Sequence, residues 1–359
     1  MKNYQSLSII AIAALLAACG GGGGGGGGGN SGTDNSTPPV TENPGTSQPG
    51  NGSYPTEVAP GNYANAQQKA IYDTLNSYRT TCGFSSLKQN SLLDTAAVGH
   101  ANYTQVNTDI SHTQSNTNTG FTGANLVARL AASGYQYSSA GEIVGGWLGG
   151  TMVVGTNSNG IDYPSDAPSG KALINRLFST VYHLQNALGE WNDVGIGYSA
   201  SGNRATAPGQ TNFFATTVVD FANAAGSTAP TYTAGKVRSF PCGGIDGVSP
   251  IFTAENPNPF PSIDFNQNPM GTPIYFQSGK GGELVIEQAE IIDVDTQSNV
   301  SITMLNPDSD PQKSMKLSEG FVIPTKPLKA NSSYRVKVSG TSDTQKFTAD
   351  FLFKTGTQN

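Results

Sequence analysis

Charge is scarce in this chain. Asp, Glu, Lys and Arg make up 12% of its 359 residues, about half the usual share of a soluble protein. The 19 basic residues face 25 acidic ones, the net charge is −6, and neither sign forms a run. A nucleic-acid binder needs clustered Lys and Arg, so that class is excluded. A long-helix protein would be rich in Ala, Glu, Lys and Leu, and this composition is not. After the first twenty residues no apolar stretch approaches the length of a membrane span, which excludes a multi-span membrane protein. Histidine is also rare, at three residues, as is cysteine, at three. There is no HExxH, CxxC, Walker or Gly-x-Ser-x-Gly sequence, so the chemistries those motifs announce have no support.

Glycine is what the chain has in excess. Ten of its 45 glycines form one run, from Gly20 to Gly29. Before that run stand Lys2, an apolar stretch from Leu7 to Leu16, and Leu16-Ala-Ala-Cys19. One basic residue, a short apolar core and small residues before a cleavage point describe an export signal over residues 1–18. The Leu-Ala-Ala-Cys ending resembles the bacterial lipobox. That resemblance implies acylation of Cys19, attachment to the membrane through it, and, with Gly20 rather than Asp following, the outer membrane of a cell envelope. Residues 20–60 hold 14 Gly and 6 Pro but only three charges, Asp34, Glu42 and Glu57. Such a segment cannot bury a core. Residues 19–60 are therefore expected to be a tether, with a root-mean-square reach of roughly 35 Å.

With Cys19 acylated, Cys82 and Cys242 remain. In an exported chain an even pair reads as one disulfide, with two unpaired buried thiols as the alternative.

The body begins with helical periodicity. Ala70, Ile71, Leu75 and Tyr78 mark a helix from Asn65 to about Cys82, and Leu93, Ala96, Ala97, His100 and Ala101 share one face of a helix from Ser91 to Asn107. His100 lies inside that stripe and is expected to be a hydrogen-bonded core histidine. Further helices are predicted over Asn125–Ser133, around Glu142 to Trp147, and over Ala172–Tyr182. Val194–Tyr198 and Asn212–Phe221 then alternate as strands, joined by a polar loop. Eight prolines from Gly226 through Pro273 suggest an irregular connector. Six candidate strands follow: Ile274–Gln277, Glu283–Val294, Val300–Leu305, Phe321–Ile323, Ser333–Ser339 and Phe347–Phe353. Helices first and strands after indicate α+β, with a small β-sandwich at the end. On the last strands, Lys337 and Lys354 read as a solvated face, and Trp147 and Trp191 as core or cleft-wall residues.

Several segments together resemble the CAP superfamily, which comprises cysteine-rich secretory proteins, antigen 5 and pathogenesis-related 1. They are Leu75-Asn-Ser-Tyr-Arg79 with Cys82-Gly83, and Leu93-x-x-x-Ala97-x-x-His100-Ala-Asn-Tyr103. Ser111-His112, Gly134-Tyr135 before Gly141-Glu142, Tyr182-His183 and Val194-Gly-Ile-Gly-Tyr198 complete the set. The resemblance implies an α-β-α sandwich over residues 61–225. The connector then covers 226–272, tied back by a disulfide, and residues 273–357 resemble the bacterial immunoglobulin-like modules that follow such domains.

The resemblance also implies a central cleft in which His112, Glu142 and His183 are candidate ligands for a divalent metal such as zinc. Two neutral imidazoles and a carboxylate suit zinc with an open fourth position. The family's second Glu is missing: between Glu142 and His183 the carboxylates are Asp162 and Asp166, both in a Gly/Pro/Ser-rich stretch. The alternative is a buried hydrogen-bonded network of the same three residues. Three functions are therefore open. The favoured one is a lipid-anchored envelope protein binding a lipid, sterol or cell-wall ligand in the cleft. The second is a metal-assisted, peptidase-like hydrolase with His112, Glu142 and His183 as catalytic candidates. The third is a structural or adhesion protein.

Overall fold

The computed structural model describes residues 9–12, 55–152, 169–204, 210–252, 254–265, 267–279 and 281–357. Asp162 and Asp166, most of the tether and Cys19 lie outside the described residues. Among those described, no helix is long and apolar enough to cross a membrane.

Helices α1 (Ala66–Thr81), α2 (Ser91–Asn107) and α3 (Leu126–Ser133) stand where the periodicity puts them. Each starts at an asparagine whose side-chain oxygen accepts a first-turn N–H. Asn65 takes Gln67 N at 2.8 Å, Asn90 takes Leu92 N at 3.0 Å and Asn125 takes Ala128 N at 3.0 Å. Gly134 closes α3 at φ 82°, a conformation that glycine adopts without steric penalty.

The first sheet is ordered β1–β3–β5–β4–β2. Its strands are β1 (Ile9–Ile12), β2 (Lys88–Gln89), β3 (Tyr137–Met152), β4 (Asp193–Arg204) and β5 (Gln210–Ala224). Only the β2–β4 pairing is parallel. On one face Val144 and Val218 pack with Ala97 and Ala101 of α2, and Ala140 and Ala222 with Leu126 and Leu130 of α3. On the other face Ile143, Ile196, Val219 and Phe221 meet α1, α4 (Gly170–Leu177) and α5 (Val181–Ala187). The result is the expected helix–sheet–helix layering.

Two expected helices are corrected. The segment around Glu142 to Trp147 is strand β3. Its glycines are close-approach positions on both faces: a Cβ at Gly141 would stand 2.5 Å from Asn186 Oδ1 of α5, one at Gly145 2.9 Å from Leu177 Cδ2 of α4, and one at Gly146 would overlap Ile110 in the loop after α2. The predicted helix over Ala172–Tyr182 is two helices, because the chain breaks at Ser179 and Thr180, whose hydroxyls bond back to Arg176 O and Leu177 O.

The motif around Arg79 is structural. The guanidinium is fully buried and donates to Ser85 O at 2.7 Å, Ala187 O at 2.6 Å and Gly189 O at 3.0 Å, tying α1 to the end of α5. Cys82, at the C-cap of α1, is disulfide-bonded to Cys242 across a separation of 160 residues, with Cα atoms 5.5 Å apart.

After this unit come two four-stranded, all-antiparallel sheets. Their strands are β6 (Val237–Phe240), β7 (Ile274–Ser278), β8 (Leu284–Asp293), β9 (Ser298–Asn299), β10 (Ile302–Leu305), β11 (Glu319–Pro324), β12 (Ser333–Ser342) and β13 (Gln345–Lys354). One sheet runs β10–β11–β7–β6 and the other β13–β12–β8–β9. All six predicted strands are present. The proline-rich stretch differs from expectation in supplying β6, which pairs with β7 from Val237↔Ser278 to Phe240↔Tyr275. Lys337 and Lys354 are exposed on the outer face, as expected. A single apolar cluster runs from Leu75 and Val181 through Phe240 to Phe321 and Phe351. The β-sheets therefore share a core with the helical unit.

Candidate functional site

Alternation along β3 decides which residues can meet. Glu142 and Val144 point toward α2 and α3, while Gly141, Ile143 and Gly145 face α4 and α5. Glu142 is 1% exposed and lies beneath the loop that follows α2. Its Oε1 accepts from His112 Nδ1 at 2.7 Å, and its Oε2 accepts from Arg129 Nη2 of α3 at 2.5 Å. Arg129 Nη1 also donates to His112 O at 3.2 Å, so one guanidinium grips both halves of the pair.

His100 belongs to the same cluster, with Nε2 3.9 Å from Glu142 Oε1. That nitrogen donates to Ser111 O at 2.8 Å, and Nδ1 accepts from Gln114 Nε2 at 2.9 Å. Both contacts suit a neutral ring. Burial pushes its pKa down to about 4 against the pull of Glu142. The expected core histidine is thus in place, and it also helps hold the loop that carries His112.

Asp220 of β5 stands directly across the ladder from Glu142. It is fully buried and neither oxygen has a hydrogen-bond partner. Burial, and then the neighbouring Glu142 carboxylate, push its carboxyl well above the usual range. For Glu142 burial also pushes upward. His100, Arg129 and His112 outweigh it and hold that carboxyl below the usual range. Of these three, the Arg129 guanidinium is the permanent charge beside Glu142.

His183 is elsewhere. It lies on α5, on the opposite face of β3, with its Nδ1 2.8 Å from both Thr180 Oγ1 and Glu255 Oε1. Thr180 occupies the N-cap of α5 but makes no side-chain cap bond. Glu255, from the proline-rich stretch, replaces it. Its oxygens accept Val181 N at 2.9 Å, Tyr182 N at 2.9 Å and His183 N at 3.0 Å. Next to it Tyr182 donates to Asp310 Oδ1 at 2.5 Å, and Asp310 also accepts Ser314 N at 2.7 Å and Met315 N at 3.0 Å.

Residues 72–219 match the family model for CAP, the cysteine-rich secretory protein family. This part of the chain is a CAP domain. No curated protein matches the chain.

The metal expected of a CAP cleft does not fit the residues present. His112 and Glu142 are brought together, but His183 is separated from them by β3. One oxygen of Glu142 is held by a guanidinium. Among the described residues no three His, Cys, Asp or Glu side chains are placed to hold a metal ion. The expectation of His112, Glu142 and His183 as one ligand set is therefore corrected to two separate pairs, His112–Glu142 and His183–Glu255. Four participants escaped sequence reasoning: Arg129, Asp220, Glu255 and Asp310. A signal existed for two of them. Arg129 interrupts an otherwise apolar helix, Leu-Val-Ala-Arg-Leu, and Asp220 interrupts Val-Val-Asp-Phe in a buried strand.

Proposed function

We propose that this is an exported, lipid-anchored cell-envelope protein whose CAP domain serves as a non-catalytic binding module, with ligands drawn from lipids, sterols or cell-wall material. The commitment of Glu142 to Arg129 carries the non-catalytic part of this reading. A hydrolase needs a carboxylate free to act as base and histidines gathered on one ion. Here the carboxylate is neutralised by a buried cation, and the second histidine braces a helix on the far face of the sheet.

The Leu-Ala-Ala-Cys19 ending and the glycine tether support anchoring, and the Cys82–Cys242 bond fits an oxidising compartment; cleavage before Cys19 would remove the edge strand β1 and leave β3 at the sheet edge. Because His112 and Glu142 are buried, ligand would be held by the surface of the domain and not by these side chains.

Fractionation and extraction test the proposal. Wild-type protein is expected in the membrane fraction, and Cys19→Ser in the soluble fraction. Organic extracts of protein purified from its own envelope should contain a reproducible co-purifying lipid or glycan by mass spectrometry. An empty extract together with zinc-dependent peptide hydrolysis would overturn the reading.

A further inference from the structure

The two margins of the first sheet are built differently. Strand edges that stay unpaired in nature are kept short, charged, bulged or interrupted by proline. β2, at one margin, is two residues long and carries the exposed Lys88. β3, next to the other margin, has 16 residues, no proline and no basic residue. Its one acid, Glu142, is already bound by His112 and Arg129, so it does not guard the edge. Its register with β5 runs without a shift from Ser139 to Met152, so no bulge bends it away.

The chain's own export segment lies along this edge. β1 pairs antiparallel with β3 from Ile9↔Ile143 to Ile12↔Ala140, and α5 packs beside both strands. Across the sheet, position 10 stands opposite Glu142, and Glu142 opposite Asp220. An acidic residue at position 10 would therefore join a row that already holds two carboxyl groups, and like charges directly opposite each other are destabilising. The sequence has isoleucine there. Removing β1 strips partners from main-chain groups of Ala140 to Ile143, a stretch whose side chains are buried by the helices on both faces.

We propose that the processed protein accepts an extended, uncharged, apolar peptide segment of another polypeptide as an added strand on β3, antiparallel over Ala140–Ile143, where its own export segment lies before cleavage. Main-chain hydrogen bonds supply the affinity of such strand addition, and side-chain positions supply the selectivity. Here the row through Glu142 and Asp220 rejects an acid at the central position. The inference rests on the reading that residues 1–18 are removed, and it adds a peptide site to the ligand classes proposed above.

Hydrogen exchange read by mass spectrometry tests it, on those amides of residues 139–144 that face away from β5. The probe is a synthetic peptide copying Ser6–Leu15, with lysines added at both ends for solubility. In the full chain these amides should be protected and the peptide should change little. Full chain with Ile10→Pro and Ala11→Pro loses the β1 donor that faces β3, whichever of the two it is. Its edge amides should exchange roughly tenfold faster, and the peptide should restore the protection. A peptide with Ile10→Asp should not. The processed chain from the envelope, identified by its intact mass, should behave as the proline variant does.

Amides of β5 and β12 report that each protein is folded. An open edge that gains no protection from the peptide overturns the proposal, as does equal protection by the Ile10→Asp peptide. Protection of the proline variant without peptide, rising with protein concentration, would assign the edge to a second copy of the chain and overturn it too. Because the proline variant opens the edge without cleavage, a failure here leaves the anchored-module reading standing.

Discussion

The molecule buries two histidine–carboxylate pairs on opposite faces of one strand, and it stabilises them by different physics. In the pair beside α2 and α3, Glu142 is balanced by a full charge, the guanidinium of Arg129 at 2.5 Å. In the pair at α5, Glu255 accepts three main-chain N–H groups of a helix first turn, with His183 as a fourth contact. Helix N-termini favour carboxylates through partial charges and unsatisfied N–H groups, so this carboxylate needs no counter-ion of its own. The consequences differ. A pair held by a cation is unforgiving, since losing either member strands a charge inside the protein. A carboxylate held by N–H groups loses hydrogen bonds when it is removed but leaves no charge behind.

The sharpest test is therefore a pair of alanine substitutions followed by urea unfolding. Glu142→Ala leaves Arg129 buried and unpaired, and should destabilise the chain by about 3–5 kcal/mol. Glu255→Ala leaves first-turn N–H groups of α5 unsatisfied and should cost about 2–3 kcal/mol. A Glu255→Ala loss equal to or larger than that of Glu142→Ala would break the comparison.

Next in size is Glu255→Gln, which keeps one oxygen acceptor for the N–H groups but removes the charge. Its expected cost is about 1 kcal/mol, the charge–dipole contribution at a helix start. If Gln were as damaging as Ala, the carboxylate charge itself, and not its acceptor geometry, would be what holds α5.

These pairs also show what sequence could and could not reveal. The three asparagine-capped helices were legible from their apolar stripes, whose members lie within one or two turns of each other. Tyr334-Arg-Val-Lys-Val338 was legible from its strict alternation of apolar and basic residues. Strand β3 was not: its glycines read as helix interruptions, and only the neighbouring side chains of Asn186, Leu177 and Ile110 explain them. The site was half legible. The spacing between Glu142 and His183 gives no indication of which face of a sheet each residue takes, and one residue of offset along β3 reverses the answer. Glu255 reaches α5 from more than seventy residues away and Asp310 from 128, distances over which no periodicity operates. Their roles required the fold.

Asp220 offers the smallest and most diagnostic change. It faces Glu142 across the ladder, and its folded-state pKa is raised by burial first and by Glu142 second. An acid in that position keeps its proton when folded at pH values where the unfolded chain, with a side-chain value of 3.8, has released it. The folded state then binds more protons, so stability falls as pH rises from about 4 toward the raised folded value. Asn has nearly the same shape and does not titrate. Asp220→Asn should consequently match wild type near pH 4 and become progressively the more stable protein as the pH is raised from there. Melting curves across that range check the sign. A gap that is constant with pH, or one that favours wild type at high pH, would mean that Asp220 is ionised when folded. Arg129 would then be balancing two carboxylates in place of one, and the charge-for-charge account of the Glu142 pair would have to be abandoned.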